Sequence, residues 1–270
     1  MKQAAVLLIA LALSLTSCNT YEKILRSDDL TAKEAKAMEF YNKKEYQKAI
    51  PFFEEIIGFY KGNKKAEDLY YYYSMCFYES GEYLIAAYNL KNFVNSYPNS
   101  PKAEECLFLN AMCYYNMSPR YNQDQTNTNK AINEFQLFIN MYPESKRVQE
   151  CNDLIDKLRR KLEAKDYASA KLYFDMNNYK AANTAFSTLL NKYSDSPIAD
   201  KISYMSLKSS YLYALNSIEQ KKKERLAQTL ALYNTFVSRF PESTYLKDAK
   251  SIFDSAQKLM NKNTTHEQNN

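Results

Sequence analysis

Apolar residues return along this chain at helical spacing, in five successive blocks that share one register. Each block closes on an aromatic residue: Tyr60, Tyr97, Tyr142, Tyr193 and Phe240. Four positions earlier stand Ile56, Phe93, Phe138, Leu189 and Phe236. Seven earlier stand Phe53, Leu90, Phe135, Phe186 and Tyr233, and eleven earlier Ala49, Ala86, Ala131, Ala182 and Thr229. Offsets of 4, 7 and 11 fall on one helix face, and a small residue at the eleventh place lets a neighbouring helix approach closely. Fourteen earlier come Tyr46, Tyr83, Tyr179 and Leu226, with Thr128 as the exception. Upstream of three of these tyrosines, Phe40, Phe77 and Tyr173 with Ala37, Ser74 and Ala170 mark a preceding helix. Each block therefore predicts a helix, a short turn and a helix, and Gly81 sits where a helix C-cap belongs.

The polar positions punctuate this pattern. Four closing aromatics lead into Pro98-Asn99-Ser100, Pro143-Glu144-Ser145, Ser194-Asp195-Ser196-Pro197 and Pro241-Glu242-Ser243. Proline stops a helix, and the serine is expected to N-cap the next one. The stretch 117–127, rich in Asn, Gln and Thr with Pro119, reads as an exposed loop inside the third block. Ser145 to Met176 lacks Pro and Gly and reads as one long helix. A last helix over about 243–260 would cap the array, and residues 261–270 read as a polar, disordered tail.

A two-helix block cannot bury its own apolar face, so the blocks must stack. The pattern resembles the tetratricopeptide repeat (TPR), which places a small residue, an aromatic, Tyr, Ala, Phe and a late Pro at such offsets. The expected fold is all-α: a TPR superhelical solenoid of about five helix-turn-helix units with a C-terminal capping helix. Units 1–3 occupy residues 31–142, and units 4–5 with the cap occupy 143–260. The first helices of the units would line a groove suited to peptides or other proteins.

Composition removes most catalytic chemistry. Only 3 glycines occur, and the single histidine is His266 in the polar tail. There is no glycine-rich phosphate loop, no Ser-His-Asp or Cys-His arrangement and no histidine-based zinc site. No enzyme activity, cofactor or metal is expected.

The N-terminus carries different information. Lys2 precedes an apolar run from Ala4 to Leu13, about half of the roughly 20 residues that span a bilayer. Residues 1–17 read as a signal peptide. Leu15-Thr16-Ser17-Cys18 resembles a bacterial lipobox, which makes Cys18 the lipid-attachment residue, residues 18–30 a tether, and the lipid chains the protein's hold on the membrane. Asn19 in place of Asp favours the outer membrane, by resemblance to the sorting of Gram-negative lipoproteins. The remaining cysteines, Cys76, Cys106, Cys113 and Cys151, read as small buried hydrophobes, with a disulfide as the alternative.

Two surfaces are candidates for partners. Tyr70-Tyr71-Tyr72-Tyr73 sweeps about 300° of a helix. Tyr70, Tyr73 and Phe77 lie on the buried face, which leaves Tyr71, Met75 and Tyr78 for the groove. Met38 and Tyr41 match them in the first unit, and Tyr167, Lys171 and Phe174 in the fourth. Aromatics with polar tips and adaptable Met suit peptide capture; the alternative is that they pack against the adjacent helix. Charge marks the second surface. Residues 201–270 hold 11 Lys and Arg against 6 Asp and Glu, while the rest of the chain is balanced. Lys221, Lys222, Lys223 and Arg225 read as a docking point for an acidic partner or as a solvated turn. Nucleic acid does not fit an exported lipoprotein.

The lipobox, five long repeats and aromatic-Pro turns together resemble the BamD family, lipoproteins of the outer-membrane β-barrel assembly machinery. Tyr21-Glu22-Lys23-Ile24-Leu25-Arg26-Ser27, leading directly into the first repeat, adds to the likeness, as does Tyr46-Gln47-Lys48-Ala49-Ile50. The resemblance implies a position on the periplasmic face of the outer membrane. It implies C-terminal repeats that hold a BamA-like barrel subunit and N-terminal repeats that receive the targeting signals of unfolded outer-membrane proteins. A periplasmic TPR scaffold or pilotin lipoprotein for cell-envelope or secretin assembly is the alternative.

Overall fold

The structure is a computed structural model that describes the backbone of residues 20–267 and the side chains as far as Asn261. The expected signal peptide and Cys18 lie outside the described residues. After a helical turn at 20–25, the helices are α1 Leu30–Asn42, α2 Tyr46–Ile57, α3 Lys64–Glu79, α4 Tyr83–Ser96, α5 Ala103–Asn116, α6 Thr126–Met141, α7 Val148–Asp175, α8 Tyr179–Lys192, α9 Ala199–Leu215, α10 Glu219–Arg239 and α11 Leu246–Glu267. No strand occurs among the described residues. The fold is all-α, built of TPR helix pairs.

The chain divides into two compact units, one ending at Leu158 and the other starting at Arg159. The boundary falls inside α7 and not at the turn near 142–143, where the repeats divide in sequence. The opening turns of α7 bring Cys151, Leu154, Ile155 and Leu158 into the core of the first unit. The rest of α7 begins the second unit, where α11 packs on both α9 and α10. The backbone of α11 is helical to Glu267.

The shared register is a burial register. The residues eleven before each closing aromatic are all fully buried: Ala49, Ala86, Ala131, Ala182 and Thr229, each 0 % exposed. The −4 residues are buried as well, and so are four of the −7 residues; Tyr233 is the exception and packs its ring on Phe253 at 4.4 Å. A methyl group at −11 leaves room for the facing helix, whereas a ring there would collide with a core packed at crystal-like density.

Two turn types recur. Between the helices of units 1, 2 and 4, Lys44, Gly81 and Asn177 adopt positive φ of 59°, 77° and 59°. The following N–H groups reach back to Phe40, Phe77 and Tyr173 at 2.9 Å. This is a Schellman closure, which satisfies carbonyls orphaned at a helix end. Between units, Tyr97, Tyr142, Tyr193 and Phe240 share φ near −130° and donate their N–H to the residue four back. Tyr193 does so although Ser194 replaces the proline that follows the other three.

The serines after these aromatics are not N-caps. Ser100, Ser145, Ser196 and Ser243 each stand three residues before the helix start and accept the N–H two residues on, at 3.1–3.2 Å. Each hydroxyl donates to a carboxylate on the first helix of the preceding pair: Glu67, Glu104, Glu163 and Asp200 respectively. One serine thus holds its own turn and clasps it to the repeat before. After the first repeat, α1–α2, no such clasp occurs among the described residues; Asn63 caps α3 through Lys65 N–H instead.

The insertion in the third unit is pinned, not loose. The Gln125 amide donates to the carbonyls of Arg120 and Gln123 at 2.8 and 3.1 Å, and Thr128 donates to Gln125 Oε1 at 2.7 Å. Thr128 is buried where the other repeats place Tyr or Leu, so a polar side chain there organises the extra residues.

Candidate partner-binding surfaces

In the first unit a run of tyrosines on α3 is the candidate surface. All four residues of Tyr70–Tyr73 are half-buried, and each finds a partner. The Tyr70 hydroxyl donates to Asn89 at 3.3 Å, Tyr71 to Glu105 at 3.1 Å and Tyr73 to Glu54 at 2.8 Å. Tyr72 bridges α1 and α2, with its ring 4.9 Å from Tyr41 and 6.5 Å from Phe53. Burial, then the neighbouring Cys76 and other acidic groups, pushes the Tyr41 hydroxyl up to about 12. Burial, then Glu105, raises Tyr71, and burial, then the Glu54 hydrogen bond, raises Tyr73.

The sequence-predicted groove residues fall into two groups. Met38, Tyr41, Tyr71 and Tyr78 are half-buried and packed against the core, with the Tyr78 ring 5.8 Å from Tyr83. Met75 is only 7 % exposed and is a core residue. The reason is direct contact between α3 and α5: the second stripe of α3 meets the first helix of the next pair, which a single-helix wheel cannot show. Over these rings lies a residue that the sequence pattern did not mark. The Lys102 ammonium sits 4.8 Å from the Tyr71 ring and 5.6 Å from Tyr72, paired with Asp68. Half-buried ring edges thus lie on α1 and α3, and a cleft of about 470 Å³ runs along Asp68, Tyr97, Pro98 and Lys102.

In the second unit the sequence-predicted basic cluster lies on a helix and not in a turn. Lys221, Lys222 and Lys223 occupy the first turns of α10, at the helix end where cations are least favoured. Glu224 and Glu219 pair with Lys221 and Lys222 at 3.0 and 2.6 Å. Arg225 stacks 4.0 Å from the Tyr213 ring and donates to Ser217. Lys221 and Lys222 are thus paired within their own helix. Tyr167, Lys171 and Phe174 line α7 in this unit; Tyr167 packs on Phe186 at 5.8 Å and Phe174 on Tyr179 at 5.5 Å.

The four cysteines inside the first unit are buried and free. Burial pushes the thiols of Cys76, Cys106 and Cys113 up to about 12 and that of Cys151 to about 11. Among the described residues no group of His, Cys, Asp and Glu is arranged to hold a metal, and no helix is long and apolar enough to cross a membrane.

Successive helix pairs with one burial register define a TPR-type helical repeat protein. The chain belongs to the YfiO family of outer membrane lipoproteins, whose family model matches residues 29–223. This bears out the resemblance to BamD-type lipoproteins drawn from the repeats and turns. No curated protein is detectably similar to the chain. Among solved structures, the TPR2AB-domain:pHSP90 complex of yeast Sti1 is similar at 14 % identity over 84 % of this chain and 98 % of that one, with a TM-score of 0.40. The P58(IPK) TPR domain is similar at 13 % identity over 89 % of this chain and 68 % of that one, with a TM-score of 0.42.

Proposed function

We propose that the protein is a subunit of the outer-membrane β-barrel assembly complex, anchored by lipid at Cys18 on the periplasmic face. In this reading the second unit holds a BamA-like barrel subunit. The first unit receives the C-terminal targeting segments of unfolded outer-membrane proteins, which commonly end in an aromatic residue. Family membership supports the class. The observation that carries the division of labour is the row of half-buried tyrosines on α1 and α3: ring edges and hydroxyls in one strip can stack on an incoming aromatic and hydrogen-bond its backbone. Tyr41, Tyr71 and Tyr78 would make those contacts, with Met38 at the edge. Met75 would act from beneath by supporting Tyr71 and Tyr78.

The experiment is recovery of the full-length lipoprotein from solubilised membranes. The reading expects a barrel-forming outer-membrane subunit to co-purify, and Cys18→Ala to move the protein out of the membrane fraction. Recovery of secretin or peptidoglycan-associated proteins without a barrel subunit would overturn it.

A further inference from the structure

Lys201 and Lys208 on α9 stand over rings of a neighbouring helix. They lie seven residues apart, on one face of the helix. The Lys201 ammonium stands 5.0 Å from the Tyr167 ring, and Lys208 stands 5.7 Å from Phe174 and 6.0 Å from Tyr204. Tyr167 and Phe174 are also seven apart, on α7. The result is a ladder of two rungs, each an ammonium over an aromatic face. Among the described residues no carboxylate pairs with either lysine. The nearby acids are engaged elsewhere: Asp166 by Lys192 and Tyr193, Asp175 by Lys171, and Asp200 by Ser243 and the Lys201 N–H. Both lysines are half-buried, so their positive charge is held in place without being neutralised.

We infer that this ladder is the docking site of an acidic helix whose carboxylates stand two turns apart. Seven helical residues advance about 10.5 Å, so carboxylates at i and i+7 of a docked helix meet both ammonium groups at once. Each ring fixes its lysine by a cation–π contact, which lowers the entropy lost when the acid arrives. The α10 cluster makes a poorer site, because Glu219 and Glu224 already occupy its ammonium groups. The inference rests on the second unit being the partner-docking unit. Its test needs no barrel subunit, so the two readings can fail separately.

The test is a titration of the full chain with a fluorescent, side-chain-stapled helical peptide carrying two Glu seven residues apart, and with the same peptide carrying Gln. The Glu peptide binds and the Gln peptide does not, with affinity falling as salt rises. Lys201→Gln with Lys208→Gln weakens binding about tenfold or more, while Lys201→Arg with Lys208→Arg retains it, which separates loss of charge from loss of fold. Lys221→Gln with Lys222→Gln stays within about twofold of the unchanged chain. Equal binding of the two peptides, no binding at millimolar concentration, unchanged affinity in the Gln ladder variant, or an equal loss in the Lys221 and Lys222 variant would each overturn the inference.

Discussion

The two units are built from the same helix pair but spend their side chains differently. The first has one continuous core in which rings touch rings: Tyr21 on Phe40 and Phe52, Tyr41 on Tyr72, and Tyr71 on Phe93. All four free thiols lie in that core. The second unit has three smaller clusters, and cations stand over rings in both units, as Lys102 does over Tyr71 and Lys201 over Tyr167. A repeat backbone fixes the −4, −7 and −11 positions and leaves the faces of the first helices open. One unit fills part of them with half-buried tyrosines, the other sets Lys201 and Lys208 over rings without a carboxylate partner among the described residues. The comparison teaches that a single repeat can offer an aromatic surface or a cationic one without altering its turns.

The largest effect should come from a position both units share. Ala182→Phe places a ring in a fully closed site and should cost about 1–3 kcal/mol or more through overpacking. Lys222→Ala, on the half-exposed start of α10, should stay within about 0.5 kcal/mol. Denaturant midpoints give the order, and equal midpoints would mean that the burial register does not govern stability.

Alkali should separate the units. Unfolded cysteine and tyrosine ionise near their ordinary values, about 8.5 and 10. In the folded first unit, three thiols and Tyr41 are held up to about 12. A raised folded value means that the stabilisation is complete below the unfolded value and is lost as pH climbs through the folded one. The first unit should therefore weaken from about pH 9 towards 12, while the second, which contains no cysteine, should weaken less. Hydrogen exchange at pH 8 and 10 reads this directly; equal loss of protection in both units would contradict it.

Smaller effects test the turns. Ser196→Ala leaves the buried Glu163 carboxylate without its hydroxyl donor and should cost about 1–3 kcal/mol, with faster exchange at 193–199. Ser145→Ala should cost less, because Glu104 is more exposed. Lys44→Gly should stabilise the protein by about 1 kcal/mol, since a left-handed backbone is costly for a residue with a Cβ. Gly81→Ala should destabilise it by a similar amount.

What the sequence revealed follows from where the information resides. The second helix of every pair was legible, because burial against both neighbours imposes one period on Ile56, Phe93, Phe138, Leu189 and Phe236. Gly81 announced its turn; Lys44 and Asn177 take the same conformation without a glycine to mark it. The serines were read as N-caps because that is their commonest local role, whereas their carboxylates lie 33 to 43 residues away. A repeated acid did leave a signal: Glu67 and Glu163 each stand seven before the small residues Ser74 and Ala170. The tyrosine stripe was half legible, since a helical wheel shows the faces of α3 but not that α5 covers Met75. The lysine ladder was invisible, because a cation over a ring on another helix is a tertiary fact. The pairing inside α10 is legible, since Glu219 and Glu224 stand three residues from Lys222 and Lys221.

The central claim is that the two units take chemically different ligands. Hydrogen exchange of the full chain, measured once with a peptide ending in a barrel protein's C-terminal aromatic and once with the stapled acidic helix, tests it most directly. The account predicts that the aromatic peptide protects residues 30–42 and 64–79 and leaves 199–215 unchanged, while the acidic helix protects 160–175 and 199–215 and leaves 64–79 unchanged. Protection of the same unit by both peptides would contradict it.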